Sequence, residues 1–245
     1  MTKEFCVKTT CHTKNGLNQL KSKATVALLC CSFFLMLCDA LEAKENTINV
    51  TIITELGSIE AELYPDRAPI TVANFVANIE AGLYKAGHFY RALNSDSEPT
   101  GPLSLIQGGK NVAMAERPAI KHEITAMTGL SHTDGILSMG RLAPGSAASE
   151  FFICSGDNTA LDYSQTDATR PGYAAFGRVT KGMAVVRYIL SKPVGNRAPD
   201  DPFMAFVRHK RAEIMVPSLL DNSIPMSIEL MTQSVALEIT EASIQ

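Results

Sequence analysis

The sequence predicts a mainly β domain, a closed barrel or sandwich whose ends are covered by helices. Three observations lead there. Short apolar stretches of strand length recur from residue 47 onward, Gly and Pro fall between them, and only two stretches carry helical periodicity. The chain has 245 residues, 46% hydrophobic and 19% charged, enough to bury one sizeable core.

Taken in order, residues 47–64 (TINVTIITELGSIEAELY) alternate apolar and polar on both sides of Leu56-Gly57, which predicts a hairpin. Pro65, Asp66 and Pro69 break the sheet. From Ile70 to Leu83, the spacing of Val72, Phe75, Val76 and Ile79 predicts a helix. Five strand-like pieces follow: His88–Ala92, Leu103–Ile106, Gly135–Met139, Phe151–Ser155 and Ala174–Val179. A second helix is expected over Gly182–Leu190, its apolar positions Met183, Val186, Tyr188 and Ile189 fitting loosely, and a late strand over Pro225–Met231. Residues 94–102, 163–172 and 192–223 are expected to be insertions within a domain spanning 44–231, followed by a tail, 232–245. The third insertion carries the basic cluster Arg208-His209-Lys210-Arg211, which reads as a solvated face.

The amino-terminal part has a different character. Lysines precede an apolar run from Ala24 to Cys38, short for a membrane span that needs roughly 20 residues. Residues 1–40 therefore read as a signal peptide cleaved after Ala40, which implies a periplasmic or secreted protein. The alternative is an uncleaved anchor through residues 24–38, which would be the domain's only tie to a membrane. Five of six cysteines lie in this leader, so only Cys154 remains in the domain and no internal disulfide can form there. Residues 1–43 carry a net charge of +2, which leaves −5 on the remainder. An acidic body argues against nucleic-acid binding, which requires cations to neutralise phosphates.

Several chemistries lack their residues. His88, His122, His132 and His209 are scattered, and Cys154 has no neighbouring cysteine, so no metal-ligand spacing is present. Gln107-Gly108-Gly109 lacks the ending of a phosphate-binding loop, and no serine sits in a Gly-x-Ser-x-Gly elbow. No cofactor is called for.

A series of phrases stands out instead: LGSIEAELYPDRAPITVANF (56–75), HFYRAL (88–93), LIQGG (105–109), GLSHTDGILSMGR (129–141), SEFFICSGD (149–157), ALD (160–162) and GYAAFGRVTKGMAVV (172–186). In these phrases, over roughly residues 47–190, the chain resembles the cyclophilin family of peptidyl-prolyl isomerases, particularly its bacterial exported members. The resemblance implies a closed eight-stranded antiparallel β-barrel capped by two α-helices. It implies a monomeric isomerase that acts on proline-containing unfolded or extended polypeptides. The arginine of the family's Phe-x-Arg phrase corresponds to Arg91, the catalytic candidate, beside Tyr90 and beside Phe89, which is expected to line the substrate cleft, as are Ser104 and Glu150. Gln107 matches the glutamine of its Gln-Gly-Gly phrase, with Leu105 where methionine is usual. Phe152 matches the floor of the proline pocket, Leu161 a pocket wall, and Tyr173 a position that holds histidine or tyrosine. Gly140 and Arg141 match the backbone stretch against which an extended peptide lies.

Such a task fits these residue types. Rotation about X–Pro must overcome amide resonance, a barrier of about 18–20 kcal/mol, without breaking a bond. An apolar slot for the proline ring and a fixed donor to the twisted amide suffice, and a guanidinium supplies that donor permanently. Alternation along a strand sends Phe151 and Phe152 to opposite faces, one to the core and one to the pocket. Three positions depart from the family. Ser104 stands where a pocket phenylalanine is common, Ala160 where an aromatic is usual, and Glu150 where glutamine is usual. These departures predict a thinner pocket and a carboxylate close enough to pair with Arg91. They also leave open a peptide-binding or chaperone-like module with little isomerase activity.

Overall fold

The computed structural model describes residues 45–95, 102–167, 169–201, 203–205 and 213–231. The leader 1–40, the basic cluster 208–211 and the tail 232–245 lie outside the described residues. The chain divides after Lys44, and every described residue belongs to the second unit.

Alternating apolar residues make strand β1 (Ile48–Thr54) and strand β2 (Gly57–Leu63) the expected hairpin, with Val50, Ile52, Ile59, Ala61 and Leu63 turned into the core. Helix α1 (Pro69–Glu80) follows. Strands β3 (Gly87–Ser95) and β4 (Leu103–Gly109) come next, then a helical turn, α2 (Thr125–Thr128). Strands β5 (Ile136–Met139), β6 (Phe151–Cys154) and β7 (Ala174–Lys181) complete the middle of the chain. Helix α3 (Met183–Leu190) and strand β8 (Leu219–Leu230) end it. The strands close into one antiparallel barrel in the order β1-β2-β7-β5-β6-β4-β3-β8, with β8 bonded to β1.

The core fills the barrel and continues under α1. Phe75 on that helix meets Tyr84, Phe151 and Phe176 at ring distances of 5.1, 5.4 and 5.0 Å. Asn74 and Asn78 each donate from Nδ2 to the Ala148 carbonyl, so the amide N–H groups of both buried asparagines are paired. In α3 the buried residues are Val186 and Ile189, whereas Tyr188 is half exposed, which explains the loose periodicity of that stretch. No helix among the described residues is long and apolar enough to cross a membrane.

Two boundaries move. Asn94 and Ser95 belong to β3 and pair with Ser104 and Leu103, so the first insertion is shorter than its polar composition suggests. Residues 219–223, read as part of the third insertion, form the start of β8. Asp221, Asn222 and Ser223 look like a turn in sequence, yet barrel closure supplies the partners that make them strand.

Candidate active site

A β-bulge sets the site. Phe89 and Arg91 share strand parity, so regular alternation would put them on one face. The register of β3 against both β4 and β8 slips between these two residues, with Phe89 opposite Gly108 and Arg91 opposite Gln107. The extra residue turns Phe89 into the core, against Phe151 at 5.8 Å, and Arg91 to the other face. On that face Arg91, Gln107, Phe152 and Ser138 are successive register partners across β3, β4, β6 and β5. Directly opposed residues stand about 4.5–5.5 Å apart, so the four make one continuous row.

Polar groups along the row bond in one direction. Arg91 Nη1 donates to Gln107 Oε1 at 3.1 Å, and Gln107 Nε2 donates to the Tyr90 hydroxyl at 2.9 Å. Tyr90 in turn donates to Glu150 Oε2 at 2.6 Å. Burial, with Glu150 beside it, pushes the Tyr90 phenol well up, so it stays protonated and remains a donor. Each amide and hydroxyl then has one role, which fixes the glutamine carbonyl toward the arginine. Gly109 makes room for the carboxylate: a Cβ there would lie 2.0 Å from Glu150 Oε2. Gly140 lies against Gln107 Nε2 and donates its N–H to the Glu150 carbonyl at 2.7 Å. On its other side Arg91 donates from Nε to Ser218 Oγ at 2.7 Å.

Next to the polar row lies an apolar cluster. Phe152, Leu93, Leu103, Leu105, Leu130 and Ile136 are among its buried members, and Leu161, Ala160, Tyr64 and Tyr173 pack on them half exposed. Phe152 meets Tyr173 edge-on at 5.4 Å. The Arg141 guanidinium lies 4.3 Å over the Tyr173 ring and donates from Nη2 to the Gly172 carbonyl, so its side chain holds that wall in place. Behind Phe152 the buried His132 ring lies nearly parallel at 5.8 Å. His132 Nδ1 bonds Asp162 at 2.6 Å and Nε2 bonds Ser138 Oγ at 2.9 Å. This Ser–His–Asp line resembles a nucleophilic triad, but Ser138 and His132 are both 0% exposed and no substrate reaches the hydroxyl. It braces the aromatic floor.

A charged donor held by Gln107 and Ser218 beside an apolar surface suits rotation about a prolyl amide, which breaks no bond. Sequence comparison agrees. The family profile described as "Cyclophilin type peptidyl-prolyl cis-trans isomerase/CLD" matches residues 49–209. The chain belongs to the cyclophilin family. A peptidyl-prolyl cis-trans isomerase of Acinetobacter baylyi is 42% identical over 156 residues, covering 62% of this chain and 76% of that one. Isomerase A of Dickeya dadantii is 35% identical over 64% of this chain and 78% of its own length. Isomerase B of Escherichia coli is 36% identical over 60% and 86%. Among solved structures, a cyclophilin type isomerase of Cryptosporidium parvum superposes with a TM-score of 0.55 at 21% identity, covering 76% of this chain and 99% of that one. That likeness shows the cyclophilin barrel. By family the chain is a peptidyl-prolyl cis-trans isomerase, and cyclophilins bind proline-containing peptides.

Against the cyclophilin pattern, Arg91, Gln107, Leu105, Phe152, Leu161, Tyr173, Gly140 and Arg141 gather on one face. Phe89 does not: it is 0% exposed inside the barrel, because the bulge reverses its side. Ser104 also stands apart, since Leu103 and Leu105 on either side of it supply the apolar surface of β4. Its backbone N–H is taken by Asn158 Oδ1 at 2.7 Å. Leu103 and Leu93 are buried in the apolar cluster beside it. Glu150 reaches Arg91 through Tyr90 and Gln107, in place of the direct pairing expected from sequence. Tyr90, Ser218, His132 and Asp162 carry parts of the site that sequence reasoning did not assign. Tyr90, His132 and Asp162 each lie in a recognised phrase and so offered a signal, whereas Ser218 lies outside all of them.

Proposed function

We propose that Arg91 is the catalytic residue of a prolyl isomerase acting on extended polypeptide segments during the folding of exported proteins. The single observation that supports it most is the one-directional hydrogen-bond relay that aims the guanidinium beside the Phe152 cluster. The proline ring sits on Phe152, Leu161 and Tyr173, while an arginine N–H meets the prolyl nitrogen as its lone pair becomes pyramidal. Planar ground states have no such lone pair to offer, so the bond forms in the transition state alone. Gly140 and the Arg141 backbone line the path of the extended chain, and the unit works as a monomer.

Proline cis/trans exchange in an Ala-Pro-Phe peptide tests this directly. Wild type accelerates exchange, and Arg91→Ala lowers the acceleration by about 10²–10³, as removal of one preorganised donor does elsewhere. Binding without acceleration by folded wild type makes the chain a peptide-binding module instead. Unchanged acceleration in Arg91→Ala removes the arginine from the mechanism.

Export rests on the apolar run 24–38 and the small residues before position 41. Cleavage after Ala40 places the domain in the periplasm or outside the cell; retention of residues 24–38 ties it to a membrane. The intact mass of the protein recovered from its own cells decides between these.

A further inference from the structure

The segment between α3 and β8 lies outside the seven phrases, yet it reaches the guanidinium. We infer that Ser218 is a positioning residue for Arg91, fixing the plane of its guanidinium for isomerisation; this rests on Arg91 being the catalytic group. Arg91 is the register partner of Leu219, the first residue of β8, so Ser218 arrives beside the arginine side chain. Nε donates to Ser218 Oγ at 2.7 Å while Nη1 donates to Gln107 at 3.1 Å. A guanidinium is a rigid plane, so bonds at Nε and at one Nη determine its orientation. Both acceptors are uncharged. As uncharged acceptors they orient the guanidinium without themselves neutralising it, as a carboxylate in either place would.

Ser218 is itself held. Pro217 fixes the backbone before it, and Gly195 N–H donates to the Leu219 carbonyl at 2.9 Å just after it. Arg197, 9% exposed, staples the same strand by donating from Nε to the Leu220 carbonyl and from Nη2 to Ser223 Oγ. From the same segment Phe203 packs on Tyr90 at 4.5 Å, and Tyr90 is the hydroxyl that orients Gln107. The segment therefore bears on Ser218 directly and on Gln107 through Tyr90.

The experiment uses the full chain and the same proline peptide, with Ser218→Ala and Ser218→Thr. We expect Ser218→Ala to lower kcat about tenfold with KM within about twofold, the signature of a group that acts on the transition state. Ser218→Thr, which keeps the hydroxyl, restores most of the loss. In parallel, the Arg91 Nε–H resonance, identified by its absence in Arg91→Lys, exchanges with solvent slowly in wild type and at least about tenfold faster in Ser218→Ala. An unchanged kcat, a loss confined to KM, no rescue by threonine, or unchanged Nε–H exchange each overturns the inference and leaves the isomerase reading standing. A folded wild type that accelerates nothing overturns both.

Discussion

Glu150 is the residue whose neighbourhood differs most from its sequence context. A carboxylate near a catalytic cation looks harmful, but here its Oε2 receives the Tyr90 hydroxyl and Gln107 stands before Arg91. The carbonyl of a glutamine accepts the same bond from Tyr90, so Glu150→Gln keeps the relay while removing a negative charge. Its isomerase activity in the peptide exchange assay should equal or exceed wild type; a large loss would give the carboxylate a positive role. Arg91, Gln107 and Phe152 were legible because each sits in a short phrase that carries its own context. Ser218 was not, since 127 positions separate it from the arginine it touches and only barrel closure brings them together. Phe89 was misassigned for a local reason: a bulge leaves no mark in an alternating apolar pattern.

Elements show the same division between local and distant causes. Helix α1 was readable from periodicity, with Pro69 at its start, where a missing N–H costs nothing. Its cap was hidden. Ala68 offers no side chain, and the free N–H groups of Ile70 and Thr71 are met by the Glu123 carboxylate at 3.2 and 2.8 Å, with the Thr71 hydroxyl at 2.6 Å. Glu123 is 4% exposed, so its removal strands buried donors. We expect Glu123→Ala to cost about 2–4 kcal/mol and to lower Tm by roughly 5–15 °C. Thermal unfolding followed by circular dichroism measures this, and a shift below about 2 °C would mean that water caps the helix equally well. Strand β8 was half legible: Ile224, Met226 and Ile228 alternate, whereas Asp221, Asn222 and Ser223 resemble a loop.

For the whole molecule, the class was legible from many short strands and few helices, while closure into eight antiparallel strands came only with the family resemblance and the strand order only with the structure. The finished barrel buries groups that ionise at high pH. Burial pushes up the phenols of Tyr84 and Tyr90 and the thiol of Cys154, so the folded state keeps all three protonated. The unfolded chain releases those protons at the ordinary values of 10.0 for tyrosine and 9.0 for cysteine. Below these values the groups give folding its full support. Above them the unfolded state binds fewer protons than the folded one, and stability falls by about 1.4 kcal/mol per pH unit for each group. Tm should therefore decline increasingly steeply from about pH 9 upward; a constant Tm through pH 11 would contradict the burial of these side chains.

Closure by β8 also has a consequence in time. A ribosome delivers β1 and β3 long before the strand that bonds to both of them. Until residue 230 emerges, two strand edges stand open, and open edges pair with whatever neighbouring chain is at hand. Strand β8 thus ends that exposure, and it delivers Ser218 to Arg91 in the same event. A nascent chain of this protein is itself in need of protection up to the moment at which it becomes able to hasten prolyl rotation in others.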